Sequence, residues 1–322
     1  MVAHSLILPI MNTAKTIQLL DFKDVPIASI GRYWLTLFQD MLGNIRTVPV
    51  TVLRGKLEGP TLGITTIVQN GSTGGIPIIH QLINQIDVNK LRGTLVCALL
   101  MDFPAISPTQ HGQPSPTSYL GQLTIGLLDQ VDYLVNLRAD STGYTSIHTV
   151  HADLSDHETT LMIRPLDAPL VVDSPAAEGS IRCAAQWLNI PTVTMTLGAT
   201  PKPPLASIRR VLDDLDMLPY EATYRNVPAQ NFDATFWIRA RHTGLLTMLP
   251  NVGEFVEEGQ LIAQQTNLFG VPIADYRVPF DGIVVCKHTI RLVEQGTGLL
   301  QLAMTDEPTS YKRQMSQQKT VI

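Results

Sequence analysis

Residues 61–75 read TLGITTIVQNGSTGG. Apolar and β-branched side chains fill 62–68, a pattern that predicts a buried strand. The pattern breaks at a polar, glycine-rich elbow. Ile79, Leu82, Ile83 and Ile86 then follow at helical spacing, with Pro77 at the start, where its missing N–H costs little. In α/β proteins such a strand–loop–helix unit places the carboxyl end of the strand and the amino terminus of the helix at one open edge, where sites form. Yet this elbow contains no His, Asp, Glu, Lys or Cys.

Outward from the elbow the same alternation continues. RTVPVTVLRG (46–55), GTLVCALLM (93–101), DYLVNL (132–137) and TVTMTLG (192–198) predict further strands, and LEGP (57–60) a turn before the elbow strand. Residues 176–190, AAEGSIRCAAQWLNI, and 206–218, ASIRRVLDDLDML, predict helices. Alternating strands and helices imply an α/β domain over residues 1–225, the strands of residues 1–55 included, with a mostly parallel sheet covered on both faces. From Ala234 onward short strands alternate with glycine turns, which predicts a small all-β domain over 226–308, lipoyl- or barrel-like. Its VPFDGIVV turn (278–285) has no lysine to carry such a group. Residues 309–322 read as a flexible tail. The proline-rich segment 103–122 reads as a long loop over the open edge of the sheet.

Composition excludes several classes. The 322 residues are 44% hydrophobic and 16% charged with a net charge of −5, enough for a large core and without a basic run for nucleic acid. Cys97, Cys183 and Cys286 are widely spaced and odd in number, so they read as reduced core thiols of a cytoplasmic protein. No apolar run reaches the roughly 18 residues of a membrane helix. The opening MVAHSLILPIM lacks the basic start of a signal peptide.

GPTLGITTIVQNG, LRGTLVCALLMDFPA, VDYLVNLRAD, EGSIRCAAQWLNIPTVTMTLGA and the tail VGEFVEEGQ…PFDGIV occur in an order that resembles the succinylglutamate desuccinylase/aspartoacylase family. The resemblance covers nearly the whole chain. It implies a zinc-carboxypeptidase-like, M14-like main domain with a C-terminal β domain, and hydrolysis of an amide between an acyl group and an amino acid. In that family an HGxE elbow and a second His hold zinc, a Glu on a later strand is the general base, and an Asn-Arg pair and a further Arg grip the substrate carboxylate.

Carried over residue by residue, the elbow falls on Asn70, Gly71, Ser72 and Thr73, so its ligand positions are Asn70 and Thr73. The third ligand position is Arg138, the base position is Thr196, and no Arg or Lys occurs between Arg92 and Arg138 to grip a carboxylate. The resemblance therefore implies a framework without its metal ligands, its base or its clamp. Two readings follow. One is a pseudoenzyme with no cofactor, retained to bind a protein partner, another copy of itself or a small anion near Asn70, Gly71, Ser72, Thr73, Arg138 and Thr196. The other is an active deacylase with a rebuilt or displaced zinc site drawn from His111, His148, His151 and Asp102.

Individual residues carry plainer expectations. Ser72 and Thr73 read as caps of the following helix rather than Ser72 as a nucleophile, since no His or acid is placed by sequence to activate it. The elbow also has the make-up of a weak anion nest, which Arg138 would strengthen, unless Arg138 pairs with Asp140 or Asp102. His148 and His151, with His157 nearby, read as surface histidines, since positions three apart on a strand point to opposite sides. His80 reads as a helix-surface or packing residue and His111 as solvated.

Overall fold

The computed structural model describes residues 14–39, 42–68, 73–101, 119–140, 143–166, 168–198, 204–219, 230–232 and 235–304. In chain order the strands are β1 (Lys15–Ile17), β2 (Ser29–Gln39), β3 (Ile45–Arg54), β4 (Leu57–Val68), β5 (Arg92–Met101), β6 (Tyr133–Arg138), β7 (Tyr144–Ser146), β8 (Thr149–Ala152), β9 (Leu170–Asp173) and β10 (Thr192–Thr196). They continue as β11 (Gln230–Phe232), β12 (Thr235–Arg239), β13 (Gly244–Met248), β14 (Phe255–Val256), β15 (Leu261–Thr266), β16 (Pro272–Arg277), β17 (Gly282–His288), β18 (Leu292–Val293) and β19 (Gly298–Met304). The helices are α1 (Gly75–Gln85), α2 (Tyr119–Gly126), α3 (His157–Ile163), α4 (Ile181–Trp187) and α5 (Pro204–Asp214).

Among the described residues, ten strands form one sheet in the order β1-β2-β3-β5-β4-β6-β10-β8-β9-β11. The central β5-β4-β6-β10 run is parallel, as are β8-β9 and β9-β11, whereas β2-β3, β3-β5 and β10-β8 are antiparallel. The fold is thus mixed α/β around a large, mostly parallel sheet. Ile79 and Leu82 of α1, Met162 of α3 and Ile208 of α5 bury one face against Ile64, Val135 and Val193. Leu123 of α2 and Ile181, Ala184 and Ala185 of α4 bury the opposite face against Val96, Leu100 and Leu134. Both faces are covered because a parallel sheet buries its strands on both sides, which explains their near-continuous apolar sequence.

Two sequence expectations change. Residues 57–60, LEGP, are the first part of β4 rather than a turn, and the β4–β5 register shifts between Leu57 and Thr61. Gly59 lies against the Arg92–Gly93 backbone, where an added Cβ would sit 2.8 Å from the Gly93 nitrogen. Gly and Pro mark a bulge there, not a chain reversal. Helix α2 begins inside the expected loop 103–122, and residues 102–118, which include His111, lie outside the described residues. β11 pairs parallel with β9 at the edge of the main sheet, so the chain leaves that sheet after Phe232.

Beyond β11 two antiparallel sheets follow, ordered β12-β19-β17-β14 and β16-β15-β13-β18, around a core that includes Val256, Ile262 and Leu300. The segment is not a detached module. β7, from the first part of the chain, pairs with β17 through Ser146 and Cys286, and Val172 of β9 packs against Ile283 and Val285. The C-terminal layer therefore lies over the same face of the main sheet as α4, beyond that helix.

Gly75 fixes where α1 meets the sheet. A Cβ at this buried glycine would collide with the Thr66 hydroxyl and lie 2.7 Å from the Thr66 Cβ. Gly75→Ala is expected to lower stability by about 1–3 kcal/mol through overpacking. Chemical denaturation measures this, and an unchanged midpoint would show that α1 is not seated on β4 as described.

Candidate functional site

The site follows from the two-residue period of β6. Val135 and Leu137 point into the core shared with α1, α3 and α5, while Leu134 points into the core shared with α2 and α4. Asn136 and Arg138 continue the Leu134 face beyond the end of that core. On β10, Thr194 is in register with Asn136 and Thr196 with Arg138. On β8, His151 stands opposite Thr194 and Thr149 opposite Thr196. On β4, Thr65 stands beside Asn136.

A polar row thus crosses four strands. The Thr65 hydroxyl donates to Asn136 Oδ1 at 3.0 Å, and Asn136 Nδ2 reaches Thr194 Oγ1 at 3.5 Å. Two cavities open on this face and share Arg138, Ala139 and His151. The larger, about 480 Å³, is closed by the C-terminal layer through Trp237, Cys286 and Gln301, with Tyr144 and Thr196 also on its wall. The smaller, about 400 Å³, is walled by Ser174 and Pro175 just after β9 and by Ser180 and Arg182 at the start of α4. β7 props the outer wall. Tyr144 meets Trp237 edge-on at 5.8 Å and His288 at 4.8 Å, and the Ile147 N–H donates to the Val285 carbonyl at 2.8 Å.

Burial, with Arg182 and Arg138 nearby, depresses the pKa of His151 to about 4, so its ring is uncharged at neutral pH. Burial, with Asp140 close by, pushes the Cys286 thiol up to about 12, which removes it as a nucleophile. Arg182 is only 9% exposed. It donates from Nη2 to the Ser174 hydroxyl at 3.2 Å and to the Pro175 carbonyl at 2.7 Å, while its buried Nη1 has no partner.

The sequence-predicted residues fare unequally. Arg138 and Thr196 come together at adjacent strand ends and both line the larger cavity. Thr73 is described but lines neither cavity, and Asn70, Gly71 and Ser72 lie outside the described residues. The expected hydroxyl cap is not formed by Thr73. The N-cap of α1 is Gly74, without a side-chain bond, and Thr73 contributes its carbonyl to the Ile76 N–H at 3.0 Å. The Arg138–Asp140 bridge is also absent, since Asp140 accepts from the Ser146 N–H at 2.9 Å and its hydroxyl at 2.5 Å. Asp102 lies outside the described residues.

His148 and His151 are not surface residues. His148 is 5% exposed and its Nδ1 lies 2.8 Å from the Thr196 carbonyl, while His151 faces both cavities. The expectation failed because β8 inserts into the main sheet next to β10 instead of running over its surface. His80 and His157 are exposed on α1 and at the start of α3. Arg182, Trp237 and Cys286 had no sequence signal of a site. The strand alternation Leu134–Asn136–Arg138 was such a signal, since it turns a core face polar at its carboxyl end.

These residues do not fit zinc. Arg138 supplies a permanent positive charge, and a dication about 4 Å from a guanidinium is repelled by roughly 8 kcal/mol at an effective dielectric near 20. Thr73 and Thr196 offer neutral hydroxyls, weak donors for this metal. Among the described residues no three His, Cys, Asp or Glu side chains converge. None of the described helices is long and apolar enough to cross a membrane.

A scan against protein-family models finds no match. The chain is similar to an N-alpha-acetyl-L-2,4-diaminobutyric acid deacetylase of Halomonas elongata, 22% identical over 302 residues, spanning 80% of this chain and 85% of that protein. Its fold matches the apo structure of the ectoine utilization protein EutE (DoeB) from Ruegeria pomeroyi with a TM-score of 0.72 and 18% identity, covering 87% of this chain and 98% of the other. It matches a succinylglutamate desuccinylase/aspartoacylase from Rhodobacter sphaeroides with a TM-score of 0.70 and 17% identity, covering 90% and 99%.

The neutral imidazole gives a pH signature. Because the folded-state pKa of His151 lies below that of the unfolded chain, stability should fall as pH drops from about 6.5 to about 4, by on the order of 3 kcal/mol from this residue. Denaturant titrations across that range are expected to show a steeper decline for the wild type than for His151→Gln. Parallel profiles would mean the ring is solvated.

Proposed function

From the fold and sequence kinship with the succinylglutamate desuccinylase/aspartoacylase family, we infer that this chain is a catalytically silent relative of deacylases that binds a small anion where its relatives carry their chemistry. One observation carries the reading: Arg138 and Thr196, the positions to which the resemblance assigns a metal ligand and the general base, stand side by side at the rim of one cavity. A guanidinium repels a divalent cation, and a threonine hydroxyl cannot accept a proton from water near neutral pH. Those same groups attract and hydrogen-bond an anion. The neutral His151 adds a donor without a charge of its own. Its pKa of about 4 makes it a poor base.

The C-terminal layer fits this role as a wall. Its VPFDGIVV turn offers no lysine for a swinging acyl carrier, while Trp237, Cys286 and Gln301 close the cavity. The alternative, a deacylase with a rebuilt zinc site, draws support from the deacetylase activity named for the curated relative. It requires His111 and Asp102 to join His148 and His151. His148 already turns its Nδ1 to the Thr196 carbonyl.

Metal analysis paired with a deacylation assay on N-acyl amino acids tests the proposal. The purified chain is expected to carry substoichiometric zinc and to release no amino acid above background. Stoichiometric zinc with turnover abolished by a chelator would defeat it. In the converse experiment, Asn70→His, Thr73→Glu and Arg138→His together should create zinc binding with little turnover until Thr196→Glu is added, because a metal-bound water still needs a base.

A further inference from the structure

The outer sheet of the C-terminal layer, β16-β15-β13-β18, carries an apolar surface that lines neither cavity. One face of this sheet fills the core of the layer through Leu246, Ile262, Tyr276 and Val293. By the two-residue period of a strand, alternate side chains face away from that core. Leu292, Leu245, Thr266 and Pro272 do so in register across the four strands, and Leu245, Leu292 and Pro272 are exposed. The neighbouring row, Thr247, Gln264 and Asp275, is polar. At the apolar end the β15–β16 hairpin projects Leu268 and Phe269, which are 78% and 93% exposed, and then the exposed Val271. Hydrogen bonds fix this tip. Asn267 Oδ1 accepts from the Phe269 N–H at 2.9 Å and from the Val271 N–H at 3.0 Å, and the Asn267 N–H donates to the Val271 carbonyl at 2.9 Å. Gly270 takes the positive φ of 81° that the turn needs. An ordered turn thus holds two large apolar side chains in water, where polar residues would serve the turn equally well.

We propose that this end of the outer sheet is the contact face of a homodimer, in which the Leu268–Phe269 tip of each copy seats on the Leu245–Leu292 row of the other. A projecting knob and a flatter seat lie side by side on one surface, and a two-fold axis between them sets each against its counterpart. The exposed apolar side chains of the tip and row leave roughly 600 Å² bare, at the top of the range for the largest patch of a monomer. Two such patches remove roughly 1,200 Å² from water on pairing, the lower bound of a stable interface. The polar row of Thr247, Gln264 and Asp275 supplies the rim. A second copy suits this surface better than a membrane does. The hairpin 261–276 contains no Lys or Arg, and the net charge of −5 disfavours anionic headgroups. The proposal is independent of the anion-binding reading above, since none of these residues lines either cavity.

Sedimentation equilibrium of the full chain tests this. The wild type is expected to form dimers at micromolar concentration. Phe269→Asp and Leu245→Lys should each weaken dimerisation about a hundredfold, because each puts a charge into the apolar contact. Leu161→Asp, at an exposed position of α3, should leave it unchanged. A mixture of the two interface variants tests the knob-and-seat geometry itself. In a mixed pair one contact sets the introduced carboxylate against the introduced ammonium, and the other keeps Phe269 against Leu245. Dimers should therefore return to within about tenfold of the wild-type affinity. Circular dichroism checks the fold of each variant, and Phe269→Asp keeps the test decisive if Leu245→Lys unfolds. A wild-type chain that stays monomeric at about 100 μM, dimers indifferent to a folded interface variant, or no recovery on mixing folded variants would each overturn the proposal. Monomers that bind neutral phosphatidylcholine vesicles through Phe269 would overturn it in favour of a membrane surface.

Discussion

Strand β6 carries a constraint on which the rest depends. Successive side chains on a strand face opposite ways, so Val135 and Leu137 must enter one core while Leu134, Asn136 and Arg138 share the other face. Near the start of the strand that face is covered by α2 and α4 and is apolar. Toward its end only the start of α4 reaches it, through Ile181 and Arg182, and the same face turns polar. β10 and β8 repeat the change in register through Thr194, Thr196, His151 and Thr149. The cavities lie where that face passes from the packed helices to the start of α4 and the C-terminal layer.

Arg138 and Arg182 set the electrostatics around His151 on this face. Two guanidinium groups depress the basicity of His151, already weakened by burial, and leave it a neutral ring. Divalent cations meet fixed positive charge in the same place. Arg138 thus puts a fixed positive charge on the wall that both cavities share.

Closure of the site depends on chain segments far apart in sequence. β7 belongs to the first part of the chain yet hydrogen-bonds with β17. Through it, Tyr144 packs against Trp237 and His288, and Val172 packs under Val285. The β layer is therefore held by ladder hydrogen bonds and apolar contact, and its placement defines the outer wall of the larger cavity.

The residue pattern by itself determined the class of fold. Apolar strand runs at 62–68, 93–101, 132–137 and 192–198 and the helix at 76–86 were all legible, because their periodicity is local and strong. It also put Arg138 and Thr196 at the positions where the resemblance implies a metal ligand and the base. Turn composition misled at LEGP, where a bulge against Gly93 absorbs the glycine that looked like a reversal. Only the tertiary structure decided that β8 lies beside β10, which buries His148 and turns His151 to the cavities. Only it brought Arg182 to Arg138 across 44 residues of chain, and Trp237 and Cys286 to the larger cavity that Arg138 also lines. Periodicity reports which way a side chain faces, but strand order in a sheet is set by long-range packing and ladder pairing, and no local pattern encodes which strands become neighbours.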